Sequence, residues 1–144
     1  MNTFKGKYEC KMDSKGRIII PSKFREELTK NNNSFVITRS LDNAIDIFPY
    51  EAWEKYDEKI SRLSDFNPKQ RAVKRFLTHD ATSVECDAQG RINIPKTLIE
   101  HANLKKNILV AGYGDRIQIW DKETYDEILL KDLEIMNDLE LDIL

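Results

Sequence analysis

A chain of 144 residues that is 40% hydrophobic can bury one ordinary core, or two small units sharing one, which excludes a large multidomain enzyme. Charged residues make up 33%, yet the formal net charge is only -2, so the overall balance names no nucleic-acid partner. Its distribution says more: eight Lys and Arg face four carboxylates over residues 1–31, whereas two lysines face nine carboxylates over residues 121–144, so the two ends suit different neighbours.

In chain order, no apolar run has the length of a secretory signal, and none reaches the ~18–20 apolar residues of a membrane span. A cytoplasmic protein with no membrane partner is expected. A strand is predicted near Tyr8–Met12, then a turn, then an alternating strand Arg17–Ile20. The turn carries hairpin chemistry, since Asp13 tolerates turn geometry and Gly16 supplies positive φ. Pro21 ends the strand and Ser22 opens a short helix. Strands Phe35–Thr38 and Ile45–Phe48 return through Asn43. From Tyr50, the side chains of Trp53, Tyr56, Ile60 and Leu63 share one helical face. After Phe66-Asn67-Pro68, with an Asn cap and Pro at the first helical position, a second helix carries Val73, Phe76 and Leu77. Its basic run, Lys69, Arg71, Lys74 and Arg75, reads more readily as a solvated face than as a phosphate contact.

The pattern then starts again. DSKGRIIIP at Asp13–Pro21 and DAQGRINIP at Asp87–Pro95 are in register at a shift of 74, with six of nine positions identical. Phe24 matches Leu98, and Leu28 matches Ala102, on short helices after each proline. At a shift of 72, Ile45–Phe48 matches Ile117–Trp120, and Glu51 and Trp53 match Glu123 and Tyr125. Strand Ile108–Ala111 joins Ile117–Trp120 through Gly112–Asp115. The chain is thus a duplicated unit, with a first repeat over 1–64, a helical connector over 65–80, a second repeat over 81–125 and an acidic helical tail over 126–144. Along that tail Tyr125, Leu129, Leu133, Met136 and Leu139 recur at helical spacing, so a partner or domain surface is expected to cover them.

Cys10 and Cys86 are too few for a disulfide framework or zinc site, and His79 and His101 do not complete one. No nucleophile motif, phosphate-binding glycine loop or metal cluster appears. No enzyme activity, cofactor, metal or small-molecule substrate is expected.

Two Asp-x-x-x-Arg hairpins, Asp13 to Arg17 and Asp87 to Arg91, each followed by Ile-x-Ile-Pro and a short helix, closely resemble the MraZ family of bacterial transcriptional regulators. The resemblance can be followed to about residue 125. It implies a mainly β, α+β fold with short helices, in which two tandem AbrB-like swapped-hairpin half-motifs interleave in a pseudo-dimeric barrel. It also implies a homo-oligomeric ring, associated with the nucleoid, that binds double-stranded DNA at repeated G-rich boxes upstream of the division and cell-wall genes, mainly as a repressor.

Residue chemistry supports that use. Lys15, Arg17 and Arg91 are cations held on hairpin turns, and Arg can offer two parallel donors to guanine O6 and N7, a pairing worth ~1–3 kcal/mol against a wrong base. Lys15 suits phosphate or guanine, Gln89 can read a base edge or hold a phosphate, and Gly16 and Gly90 are expected to let the backbone approach a duplex. Asp13 and Asp87 are expected to orient the arginines. The competing reading is two exposed salt bridges that merely staple the hairpins, each worth ~0–1 kcal/mol. Because Lys15 faces Gln89, and Arg25 matches Ile99, the first unit is expected to dominate affinity and the second to serve packing. The rival function is an antitoxin-like or assembly module that binds a protein partner through its barrel and acidic tail.

Overall fold

The computed structural model describes residues 3–139. The expected acidic tail is helical to Asn137, and its residues 140–144 lie outside the described residues. In the first repeat β1 (Lys7–Lys11), β2 (Arg17–Ile19), α1 (Ser22–Leu28), β3 (Ser34–Arg39) and β4 (Ile45–Pro49) precede α2 (Tyr50–Ser61) and α3 (Pro68–Thr78). The second repeat supplies β5 (Thr82–Glu85), β6 (Arg91–Asn93), α4 (Lys96–Ala102), β7 (Asn107–Tyr113), β8 (Arg116–Asp121) and α5 (Lys122–Asn137). Local chemistry accounts for the boundaries. Asn67 Oδ1 accepts from the amides of Lys69 and Gln70 at 2.9 and 3.2 Å, and Pro68 opens α3. Pro21 and Pro95 stand at the N-caps of α1 and α4, where no amide hydrogen is needed.

The strands form a six-stranded antiparallel sheet in the order β1-β7-β8-β4-β3-β5, and a two-stranded ribbon, β2-β6. This order is symmetric between the repeats. β1 of the first pairs with β7 of the second, as β5 pairs with β3, and the centre is β4 against β8. A pseudo-twofold axis passes through two cross-strand pairs of equivalent residues, Ile18 with Ile92 in the ribbon and Asp46 with Gln118 in the sheet. The expected barrel thus takes the form of an open sheet whose edge strands, β1 and β5, each lead through a turn into the ribbon.

That topology corrects the expected local hairpins. The turn at Asp13 closes through Asp13 N–H to Arg17 O at 2.9 Å and Gly16 N–H to Asp13 O at 3.1 Å, but no ladder joins β1 to β2. The reason is burial. β1 is an edge strand whose side chains are mostly exposed, whereas pairing β2 with β6 lets Ile18, Ile20, Ile92 and Ile94 share one interior. Phe24, Leu28, Leu98 and Ala102 of α1 and α4 join them, together with the inward residues of the sheet, such as Phe35, Ile37, Ile108 and Ile117. Full burial of each large side chain contributes ~1.5–3 kcal/mol, so the ribbon is held by the core of both repeats.

The opposite face of the sheet is covered by the longer helices. Phe48 packs against Trp53 and Tyr56 of α2, while Leu109 and Trp120 take Tyr125 and Ile128 of α5. Beyond those two anchors α5 is uncovered: Leu129, Leu130, Leu133, Ile135 and Met136 are all exposed, as is Leu139 just past its end. The acidic helix and the basic hairpin turns therefore lie on opposite sides of the sheet.

Candidate nucleic-acid interface

Period-two alternation sends Ile18, Ile20, Ile92 and Ile94 into the core and turns Arg17, Ile19, Arg91 and Asn93 outward. Register places Arg17 opposite Asn93 and Ile19 opposite Arg91, so one solvent-facing ribbon surface carries both arginines, flanked by the two turns. Ile19 is 52% exposed, unusual for so large an apolar side chain beside two cations. Sequence reasoning passed over Ile19 and Asn93, although the alternation in Gly-Arg-Ile-x-Ile-Pro already aligns each with its arginine.

The two turns are built alike. Asp13 Oδ1 accepts from the amides of Lys15 and Arg17, both at 2.9 Å, while Oδ2 accepts from Arg17 Nε at 2.7 Å. Asp87 does the same for Gln89 and Arg91, with the same 2.7 Å contact to Arg91 Nε. Both carboxyls are held below the usual carboxylate range, chiefly by the Arg17 and Arg91 amides, with the guanidiniums and the Lys15 and Gln89 amides adding to the effect. Asp therefore fixes both the turn and the arginine. Because it engages Nε, the two terminal nitrogens of Arg17 have no acceptor among the described residues; in the second turn, Arg91 Nη2 also donates to Gln89 Oε1 at 3.2 Å. Ion pair and presented fork are compatible in one geometry. Lys15 and Gln89 are exposed at the tips.

Gly16 and Gly90 play a part different from the one expected. Their φ values of 75° and 79° favour glycine, but both residues are buried, and the backbone they approach is the protein's own. Gly16 O accepts from Ile94 N–H at 2.9 Å and Gly90 O from Ile20 N–H at 3.0 Å, locking each turn onto the opposite repeat. A Cβ on Gly16 would stand 3.1 Å from Ile99 Cδ1, and one on Gly90 would overlap the Arg25 guanidinium. Arg25, expected to mark divergence around the helices, thus reaches across to the second turn.

Several polar groups elsewhere are paired within the protein. On the far side of the sheet Asp46 accepts from Gln118 Nε2 at 3.0 Å and from Arg116 Nη1 at 3.3 Å, and the Arg116 guanidinium lies over Phe48 and Tyr56. Burial pushes the Asp46 carboxyl up to about 6 despite those partners. On α3, Arg71 and Lys74 are both drawn to Asp65. Cys10 and Cys86 are half-buried against the core, and burial raises both thiols, Cys10 to about 11. His101 stacks edge-on with Phe76. Among the described residues no helix is long and apolar enough to cross a membrane.

Comparison with known proteins agrees with the duplication. The MraZ protein family matches twice, over residues 3–76 and 77–142, so the likeness runs past residue 125 into the acidic helix. A protein of Pediococcus pentosaceus named Transcriptional regulator MraZ is 41% identical over 136 residues, covering 94% of this chain and 93% of that protein. Another of the same name from Clostridium tetani is 44% identical over 124 residues, covering 86% and 85%. With two family matches that together span nearly its whole length, on two turns of one design, the chain belongs to the MraZ family.

Proposed function

We propose that this protein is a sequence-specific DNA-binding transcriptional regulator, acting mainly as a repressor at repeated G-rich boxes, and that the β2-β6 ribbon enters the major groove. The observation that carries this reading is the pair of Asp-anchored arginines side by side on one exposed two-stranded ribbon. A major groove admits a two-stranded ribbon, and an arginine held at Nε keeps its terminal nitrogens for guanine O6 and N7. Asp13 and Asp87 orient, Arg17 and Arg91 read bases, and Lys15 and Gln89 meet phosphate or base edges. Gly16 and Gly90 serve the site by shaping the turns. The names of the relatives support the regulatory role, and cytoplasmic, nucleoid-associated work is part of the same proposal. One chain offers a single ribbon, so binding at repeated boxes calls for several copies in a closed, head-to-tail ring, in which linked sites raise avidity. Footprinting of the purified protein on its own upstream DNA tests the reading. Protected G-rich repeats are expected, and uniform protection regardless of sequence refutes it.

A second reading has one observation in its favour: the uncovered apolar residues of α5 stand among carboxylates, as a surface for a protein partner or neighbouring subunit would. Native mass measured with and without residues 131–144 separates the two. An assembly that falls apart on truncation, with its DNA preference intact, assigns α5 to assembly and the ribbon to DNA.

A further inference from the structure

We propose that Arg25, contributed by the first repeat, is the phosphate-binding cation of the second hairpin turn, supplying in space the charge that Gln89 lacks in sequence. This rests on the DNA-binding reading of the ribbon. The repeats cross over: Ile20 N–H donates to Gly90 O and Ile94 N–H to Gly16 O, so each helix that follows a ribbon strand begins beneath the opposite turn. Arg25 and Ile99 are equivalent residues on those helices. Under the first turn, which carries Lys15, lies Ile99; under the second, which carries Gln89, lies the Arg25 guanidinium. Counted through space, each turn has two cations: Lys15 and Arg17 at one, Arg25 and Arg91 at the other. The asymmetry read along the chain disappears in the fold.

The geometry of Arg25 suits that role. Its Nη1 donates to Ile20 O at 2.9 Å, which fixes the plane of the guanidinium. Among the described residues no acceptor engages Nε or Nη2, and neither atom is among the buried polar atoms lacking a partner, so that edge of the half-buried side chain is reached by solvent. Nε and Nη2 form the fork that meets two phosphate oxygens in parallel. Glu26 and Glu85 line the neighbouring groove, and among the described residues no carboxylate forms an ion pair with Arg25. The division of labour between the arginines follows from which nitrogen each has committed. Arg17 gives Nε to Asp13 and keeps both terminal nitrogens, Arg91 gives Nε to Asp87 and Nη2 to Gln89 and keeps Nη1, whereas Arg25 gives Nη1 to a carbonyl and keeps its side edge.

The test uses the full chain on two duplexes, the footprinted upstream box and a random sequence of equal length, titrated over several salt concentrations. Arg25→Ile installs the residue found at the equivalent position under the first turn. It should weaken binding several-fold on both duplexes, and the slope of log K against log salt should shrink by about one unit. Adding Gln89→Lys should restore affinity and slope, because it rebuilds the first turn's chemistry on the second. A role in packing alone would not be rescued by a charge at position 89. Should Arg25→Ile fail to fold, Arg25→Gln keeps a donor for the Ile20 carbonyl and should give the same loss and the same rescue. Wild-type affinity and slope in the Arg25 variant, or no rescue by Gln89→Lys in a folded protein, overturns the proposal. If Arg17→Ala still destroys discrimination in that case, the DNA-binding reading stands and only the role of Arg25 falls.

Discussion

Arg17→Ala, read beside Asp13→Ala, separates base reading from a structural ion pair. In the structure Arg17 Nε is committed to Asp13 Oδ2 at 2.7 Å, so the side chain is already restrained when DNA arrives and both terminal nitrogens remain to be used. Loss of a two-donor contact to guanine costs ~1–3 kcal/mol, roughly 5- to 150-fold on the cognate duplex, while a scrambled duplex should lose only the contribution of one cation. Asp13→Ala leaves the arginine in place but frees it. Re-ordering that side chain costs some part of the ~2 kcal/mol of rotamer entropy an arginine carries, so cognate binding should fall by less than in Arg17→Ala. On the Arg17→Ala background, Asp13→Ala should therefore cost less than it does in the wild type, keeping only the part that comes from the Oδ1 bonds to the turn amides, and this non-additivity is the signature of an orienting carboxylate. The assay is fluorescence anisotropy on cognate and scrambled duplexes, with thermal melts as the folding control. A mere staple predicts a stability loss of ~0–1 kcal/mol and no change in discrimination. Wild-type discrimination by a folded Arg17→Ala protein would falsify direct readout by this residue.

Three further outcomes follow from the same structure. Folded Asp46 keeps its proton up to about pH 6, whereas an unfolded aspartate releases it near 3.8, so the folded state binds more protons in between and stability falls as pH rises through that window, by up to ~3 kcal/mol. Asp46→Asn, which can still accept from Gln118, should flatten that stretch in denaturant melts on either side of the window; an unchanged pH slope rules out Asp46 as its source. Ile18→Ala opens the fully buried ribbon pair at the pseudo-twofold axis and should cost ~2–5 kcal/mol in a single cooperative transition, because both repeats share that core; separate melting of the repeats in calorimetry counts against a shared core. A cut after Leu130 retains Tyr125 and Ile128 on the sheet and should leave the preferred DNA sequence unchanged, while a shifted preference in a selection from random duplexes would place α5 in base recognition.

The features legible in the sequence are those set by neighbours a few residues apart. Asp13-x-x-Gly16 and its copy specify a turn, Pro21 and Pro95 a strand end, Asn67-Pro68 a helix start, and the Ile-x-Ile alternation an inward and an outward side. Comparing the chain with itself added the duplication and so the paired Asp-Arg turns. Alternation tells which side of a strand is buried but not which strand lies alongside, and the partner was decided by tertiary packing. β2 lies against β6 and β1 against β7 because that exchange buries the ribbon isoleucines of both repeats together. Once the strands cross, each turn rests on the other repeat's helix. Gly16 and Gly90 thereby become buried contacts, and Arg25 comes to serve a turn more than sixty residues away along the chain. Position on the chain fixed each residue's chemistry, whereas burial shared between two repeats fixed its neighbours, since the ribbon isoleucines of both repeats pack into one core.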